Sequence, residues 1–172
     1  MKRLVILGCG GYGKTISDIA KSDNMYDDII FLDDNGAQNS AAGKCADFEK
    51  FIDENTQFYP AFGDNKLRMN WIEKLEKAGA DLALIIHSKA YVSFNTKIEK
   101  GCAVLPLSVV NNNCEIKKGC IVNFGAVIDH DCVVHQGVHL CMNCTVKAGN
   151  IIPPFMKIEA GKVVENNTLK HC

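Results

Sequence analysis

No stretch of this sequence stays apolar long enough to span a bilayer. The opening run Leu4–Leu7 stops at Gly8, which is too short for a secretion signal. A soluble, cytoplasmic protein is the expectation. An excess of one charge is also lacking: 19 Lys and Arg stand against 20 Asp and Glu, a net charge of −1. General attraction to nucleic acid or to anionic membrane is thereby excluded. With 172 residues the chain has room for one domain or two small ones.

What the sequence does have is a six-residue beat. An aliphatic residue falls on every sixth position at Val92, Ile98, Val104, Val110, Ile116, Val122, Ile128, Val134, Leu140, Val146, Ile152, Ile158 and Val164. An α-helix cannot use this spacing, because six is not a multiple of 3.6 and the stripe would wind around the cylinder. A coil of three short strands uses it directly. Each strand sends one branched side chain into a prism, and successive coils stack about 4.8 Å apart. The beat predicts a parallel β-helix of hexapeptide repeats from about residue 87. Its flat faces and open edges predict self-association, and a three-sided prism suggests a homotrimer.

The beat also explains the nine cysteines. Cys102, Cys114, Cys120, Cys132 and Cys144 each stand two residues before an interior aliphatic, in a slot shared with Ala90, Thr96, Ser108, Ala126 and Val138. Cysteine in such a slot is a small hydrophobe on a crowded corner. Cys141 and Cys144 have Cys-x-x-Cys spacing but fall in different repeats. Packing in a reducing compartment, rather than disulfide or metal chemistry, is expected.

Residues 1–86 follow another pattern. Strands are expected at Lys2–Leu7, Ile29–Leu32, Phe58–Phe62 and Leu82–Ile86. Helices are expected at Lys14–Lys21 and at Asn65–Ala78, the latter with Leu67, Trp71, Ile72 and Leu75 on its apolar face. Asp33–Gly36 reads as a turn. Strands alternating with helices predict a small α/β, Rossmann-like unit over 1–86, followed by the β-helix over 87–172.

Two motifs carry chemistry. Gly8-x-Gly10-x-x-Gly13 lies between a strand and a helix, with Asp33 twenty residues beyond Gly13. This is the pattern that lets backbone amides approach phosphates. The unit is too short for a whole dinucleotide domain, so one nucleotide diphosphate is the better fit, and a ligand-free turn is the alternative. The second motif is Asp129-His130-Asp131, just after interior Ile128 and therefore on a corner facing outward. Flanking carboxylates raise imidazole basicity and fix its tautomer, as a general base requires. A solvated corner histidine is the alternative. His130-x4-His135 could also meet a metal, with His87 the upstream candidate for a third ligand.

These pieces resemble one family, the bacterial sugar O-acyltransferases. It includes sialic acid O-acetyltransferases, UDP-4-amino-sugar N-acetyltransferases and perosamine N-acetyltransferases. The resemblance rests on Gly8-Cys9-Gly10-Gly11-Tyr12-Gly13-Lys14, Ile30–Asp34, Phe62–Arg68 and Asp129-His130-Asp131-Cys132, in that order. It implies a left-handed β-helix and transfer of acetyl from acetyl-CoA to a nucleotide-linked amino sugar or sialic acid, for surface glycan synthesis. His130 would be the general base and Asp131 would raise its basicity. Gly10, Gly11, Tyr12, Asp33, Asp34 and Gly63 would hold the nucleotide sugar. His139, Ala148 and Gly149 would lie against acetyl-CoA. The site would form between adjacent subunits, and no metal is expected.

Three departures from the family pattern stand out. Tyr12 replaces a histidine of the glycine loop. The family's Ala-Gly-Asn reads Lys147-Ala148-Gly149-Asn150, so register and motif assign its glycine to Ala148 and Gly149 respectively. Three repeats, Asn150–Asn167, remain where relatives carry six, a loss of one whole coil. Two other functions compete: a γ-carbonic-anhydrase-like metalloenzyme, and a non-catalytic nucleotide-sugar-binding homologue.

Overall fold

A computed structural model describes residues 1–35 and 41–166. Gly36 of the expected turn and Asn167 of the final repeat lie outside the described residues. The chain divides into two compact units, Met1–Ala83 and Leu84–Cys172. Among the described residues no helix is long and apolar enough to cross a membrane.

The first unit is a parallel five-stranded sheet in the order β3-β2-β1-β4-β5. Its strands are β1 (Arg3–Leu7), β2 (Asp28–Leu32), β3 (Ala41–Gly43), β4 (Thr56–Pro60) and β5 (Asp81–Leu82). Helix α1 (Gly11–Ser22) follows β1, and α2 (Asn65–Lys77) follows β4. Leu4 to Leu7 are fully buried, as expected for a central strand covered on both faces. The weakly patterned stretch after β2 supplies the edge strand β3 and a 3-10 helix, Cys45–Phe51.

Two expectations are corrected here. Leu67 is 43% exposed, whereas Arg68 is fully buried beside Met69, Ile72 and Leu75. The Arg68 guanidinium donates to the Phe62 carbonyl and to Asn65 Oδ1, both at 2.8 Å, which satisfies a charge that hydropathy assigns to solvent. The expected strand Leu82–Ile86 is two strands. Leu82 pairs with Phe58 in the first sheet, while Ile85–Ile86 pairs with Ala103–Val104 in the β-helix. The β-helix thus begins before residue 87, and the division between units falls at Ala83 and Leu84 rather than at 86 and 87.

The second unit is a left-handed parallel β-helix. One ladder stacks Tyr91–Val92, Val109–Val110, Val127–Ile128, Thr145–Val146 and Val163–Val164. A second runs from Lys97–Ile98 to Ile151–Ile152, and a third from Ile85–Ile86 to Lys157–Ile158. Partners such as Val110 and Ile128 are one coil apart. The aliphatics of the six-residue beat from Val104 to Val164 are buried in one cluster, with Val92 and Ile98 packed against it.

A second periodic feature sets the corners. Every sixth residue from Gly101 to Gly161 is left-handed, with φ between 55° and 78°. Glycine takes most of these positions, and Leu107, Asn113, Asp131, Asn143 and Phe155 take the others. Asp131 is therefore a corner residue by backbone conformation.

The cysteine slot does more than fill space. The residue after each interior aliphatic donates its N–H to the ladder but leaves its carbonyl over, and at two of the three corners that carbonyl takes a side chain from the coil before. Cys102 donates to Lys117 O, Cys114 to Asp129 O, Cys120 to His135 O and Cys132 to Lys147 O, at 3.0–3.3 Å. Thr96 and Asn150 do the same to Asn111 O and Glu165 O. A buried carbonyl without a donor is costly, and a short polar side chain removes that cost. All eight cysteines among the described residues are free and buried.

Candidate functional site

The conserved geometry of a parallel sheet puts its loops at the carboxyl ends of the strands. Gly10 and Gly11 follow β1, Asp33 and Asp34 follow β2, and Gly63 follows β4. Strand order reverses between β2 and β4 on either side of β1, so a crevice opens there. Gly8 has a φ of 100°, and a Cβ on Gly13 would lie 2.0 Å from the Gly8 carbonyl oxygen. These two glycines are required by the turn itself. Gly10 and Gly11 are exposed, and a Cβ on either would meet nothing within 4 Å. Helix α1 has no side-chain cap and no acid in its first turn. Its N-terminal N–H groups and dipole favour an anion.

Asp33 braces this loop, and Asp34 holds the start of the 3-10 helix. Asp33 Oδ2 accepts from Cys9 N at 2.7 Å and Oδ1 from Asn35 N at 2.8 Å. Asp34 Oδ1 accepts from Cys45 N at 2.9 Å. Tyr12 is anchored to the sheet, its hydroxyl 2.7 Å from that of buried Tyr59. Gly63 is exposed just before Asp64, whose Oδ1 caps α2 by accepting from Leu67 N at 2.7 Å.

The second site residues lie on a β-helix corner. Left-handed Asp131 turns its carboxylate back onto its neighbour, and its Oδ2 is 2.6 Å from His130 Nδ1. Asp131 Oδ1 accepts from Asn113 Nδ2 at 2.6 Å. Asp129 Oδ1 accepts from His130 N at 2.8 Å and from Asn111 Nδ2 at 3.0 Å. The His130 carbonyl accepts from Gly149 N at 3.0 Å. The imidazole is exposed, yet its backbone and Nδ1 are held from three sides.

The electrostatics follow from these bonds. The hydrogen bond to Asp131, then the charges of Asp129 and Asp131, raise the His130 pKa. Asn113 first, then His130, hold the Asp131 carboxyl below its ordinary value. The His130 backbone N–H and Asn111 do the same for Asp129. Nδ1 faces a carboxylate, so it carries the proton and Nε2 presents its lone pair outward. That is the arrangement of an oriented general base.

His139 stands on another face, with Nε2 3.2 Å from Asn123 Nδ2. Gly149 is the left-handed residue of its corner, and its N–H is used on His130. Ala148 precedes it and directs its backbone toward Asp129. His87 is buried, with Nδ1 accepting from Lys89 N at 2.9 Å. Among the described residues no three His, Cys, Asp or Glu side chains converge closely enough to hold a metal ion, so His87, His130 and His135 form no ligand set within one chain.

Asn111 and Asn113 escaped the sequence reading. Their signal is a spacing of 18, one coil, from Asp129 and Asp131. Asn123, which meets His139 from 16 residues away, escaped it as well.

Residues 3–75 match the PglD N-terminal domain family. The acetyltransferase domain of PglB from Neisseria gonorrhoeae FA1090, solved in complex with acetyl coenzyme A, is 29% identical with a TM-score of 0.89. The match covers 94% of this chain and 81% of that domain. A mutant perosamine N-acetyltransferase from Caulobacter crescentus, in complex with CoA and GDP-perosamine, shares the fold at 24% identity and a TM-score of 0.78, covering 96% of this chain and 89% of its own. WeeI from Acinetobacter baumannii AYE shares it at 15% identity and a TM-score of 0.57, over 98% of each chain. Over residues 3–75 the chain carries a PglD-type N-terminal domain, and over most of its length it is similar to the acetyltransferase domain of PglB.

Proposed function

We propose that this protein transfers acetyl from acetyl-CoA to an amine, or a hydroxyl, of a nucleotide-linked amino sugar. The observation that carries the reading is the 2.6 Å contact between His130 Nδ1 and Asp131 Oδ2 on an exposed corner. The likeness to a PglB acetyltransferase domain solved with acetyl coenzyme A supports the donor. The glycine loop and its uncapped helix support a nucleotide diphosphate on the acceptor.

His130 Nε2 takes the proton from the acceptor nitrogen as that nitrogen attacks the acetyl carbonyl. Asp131 stabilises the imidazolium that results. The C–N bond forms, the C–S bond of the thioester breaks, and His130 returns the proton to the departing sulfur. Transfer is direct, without an acyl-enzyme. Gly10, Gly11, Tyr12, Asp33, Asp34 and Gly63 hold the nucleotide sugar. His139, Ala148 and Gly149 lie along acetyl-CoA.

The working protein is a cytoplasmic homotrimer serving surface polysaccharide synthesis. Tyr91, Val109, Val127, Thr145 and Val163 form the outward side of one ladder, and Tyr91 and Val163 are more than half exposed. An apolar strip of this kind suits a partner copy.

The deciding experiment is a thiol-release assay with acetyl-CoA against UDP- and GDP-linked amino sugars and sialic acid. Release of CoA with at least one nucleotide-linked amino sugar is expected. Release with sialic acid alone, or with none, overturns the reading.

A further inference from the structure

Among the described residues, Asn113 and Asp131 are the only pair of side chains stacked in successive coils of the left-handed corner slot. Elsewhere a glycine stands above or below; at Gly125 a Cβ would lie 2.3 Å from Asn143 Oδ1, whereas at Gly161 it would meet nothing within 4 Å. Both residues of the Asn113–Asp131 pair are exposed, so burial does not account for it. The left-handed conformation is disfavoured for side chains other than Asn, Asp and Gly. Two such residues are accepted here, one above the other, joined by a bond of 2.6 Å.

We propose that Asn113 is a positioning residue for the catalytic pair, clamping Asp131 from the neighbouring coil so that its other oxygen stays on His130 Nδ1. The inference rests on the reading of His130 as general base.

The clamp works through geometry. Asp131 Oδ1 accepts from Asn113 and Oδ2 from His130, so the carboxylate is held at both ends and cannot rotate toward water. The amide orientation follows from chemistry, because the Asn113 oxygen would be repelled by a carboxylate at this distance. Asn111 makes the parallel bond to Asp129, which fixes the His130 backbone. Imidazole position is thereby set by the preceding coil, 18 residues away, as well as by its own turn. The charged and titratable groups acting on His130 are Asp131, Asp129 and Cys132. Asn113 bonds the first of them without adding charge.

Asn113→Gly tests this cleanly. Glycine fills the same slot at Gly101, Gly119, Gly125, Gly137, Gly149 and Gly161, so the backbone accepts it. The expected result has two parts. His130, followed by NMR titration of the unliganded protein, falls toward the ordinary 6.5 as Asp131 swings free. The kcat falls by about 10-fold or more, while KM for both substrates is unchanged, since misplacing a catalytic group by about 1 Å costs up to ~10²-fold. A His130 titration in Asn113→Gly that matches the unsubstituted protein overturns the inference. If the titration shifts but no nucleotide sugar is acetylated by the unsubstituted protein, the clamp stands and the proposed reaction falls.

Discussion

His130 and Asp131 are sequence neighbours whose side chains nonetheless meet, Nδ1 to Oδ2 at 2.6 Å, because Asp131 takes a left-handed φ of 59°. In an extended strand the two would point to opposite faces. The bond favours imidazolium and raises the His130 pKa. A general base works in its neutral form, so kcat/KM rises with pH through that elevated value. Asp131→Asn removes the anion. Its acid limb shifts to lower pH, while the plateau falls by roughly 10²–10⁴ as tautomer control and imidazolium stabilisation are lost. A pH–rate profile checks both parts, and an acid limb that stays in place contradicts the pairing.

Removing the base itself separates chemistry from folding. The His130 side chain is about half exposed, and the bonds of Asn111 to Asp129, Asn113 to Asp131 and Gly149 N to His130 O do not use its imidazole. His130→Ala should lower transfer by at least ~10²-fold, the scale of general-base catalysis. Its melting temperature should stay near that of the unsubstituted protein, because surface changes of this kind lie within about 0.5 kcal/mol. Retained turnover ends the general-base assignment.

The six-residue beat made the β-helix legible, because a one-residue slip would turn its aliphatics outward. His130 on a corner was legible in the same frame. The bonds that support it were not. Asn111-Asn112-Asn113 reads locally as a polar loop, and its meaning appears only when residues 18 apart are stacked. The cysteine slot was legible as small and buried, whereas its donor role depends on which carbonyls the ladder leaves over. In the first unit, Arg68 defeated hydropathy because its guanidinium bonds a loop carbonyl and Asn65 Oδ1.

The glycine loop offers a contrast between two substitutions. Gly13→Ala drives a methyl against the Gly8 carbonyl, which is backbone and cannot step aside. It should destabilise the protein by about 1–3 kcal/mol, the usual cost of overpacking. Gly10→Ala meets open space and an ordinary φ of −71°, so the fold should tolerate it. Its effect should fall on the acceptor: KM for the nucleotide sugar rises while that for acetyl-CoA holds. Equal melting temperatures for the two variants contradict the steric argument, and an unchanged acceptor KM in Gly10→Ala contradicts the phosphate role.

Cys120 tests whether the corner thiols are donors or mere filling. Its sulfur donates to the His135 carbonyl at 3.0 Å, well away in sequence from His130. Val138 occupies the equivalent slot one coil later and is fully buried, so the corner accepts a valine. Cys120→Val keeps an apolar group of suitable size and removes the donor, whereas Cys120→Ser shrinks the group and keeps a donor. If filling alone mattered, valine would be the milder change. With a buried carbonyl left unpartnered at a cost of about 1–3 kcal/mol, valine should be the harsher one. At about 2–4 °C per kcal/mol for a chain of this size, the difference in melting temperature should be several degrees. Thermal unfolding of the two variants side by side decides the matter, and a valine variant as stable as the serine variant reduces the thiols to packing.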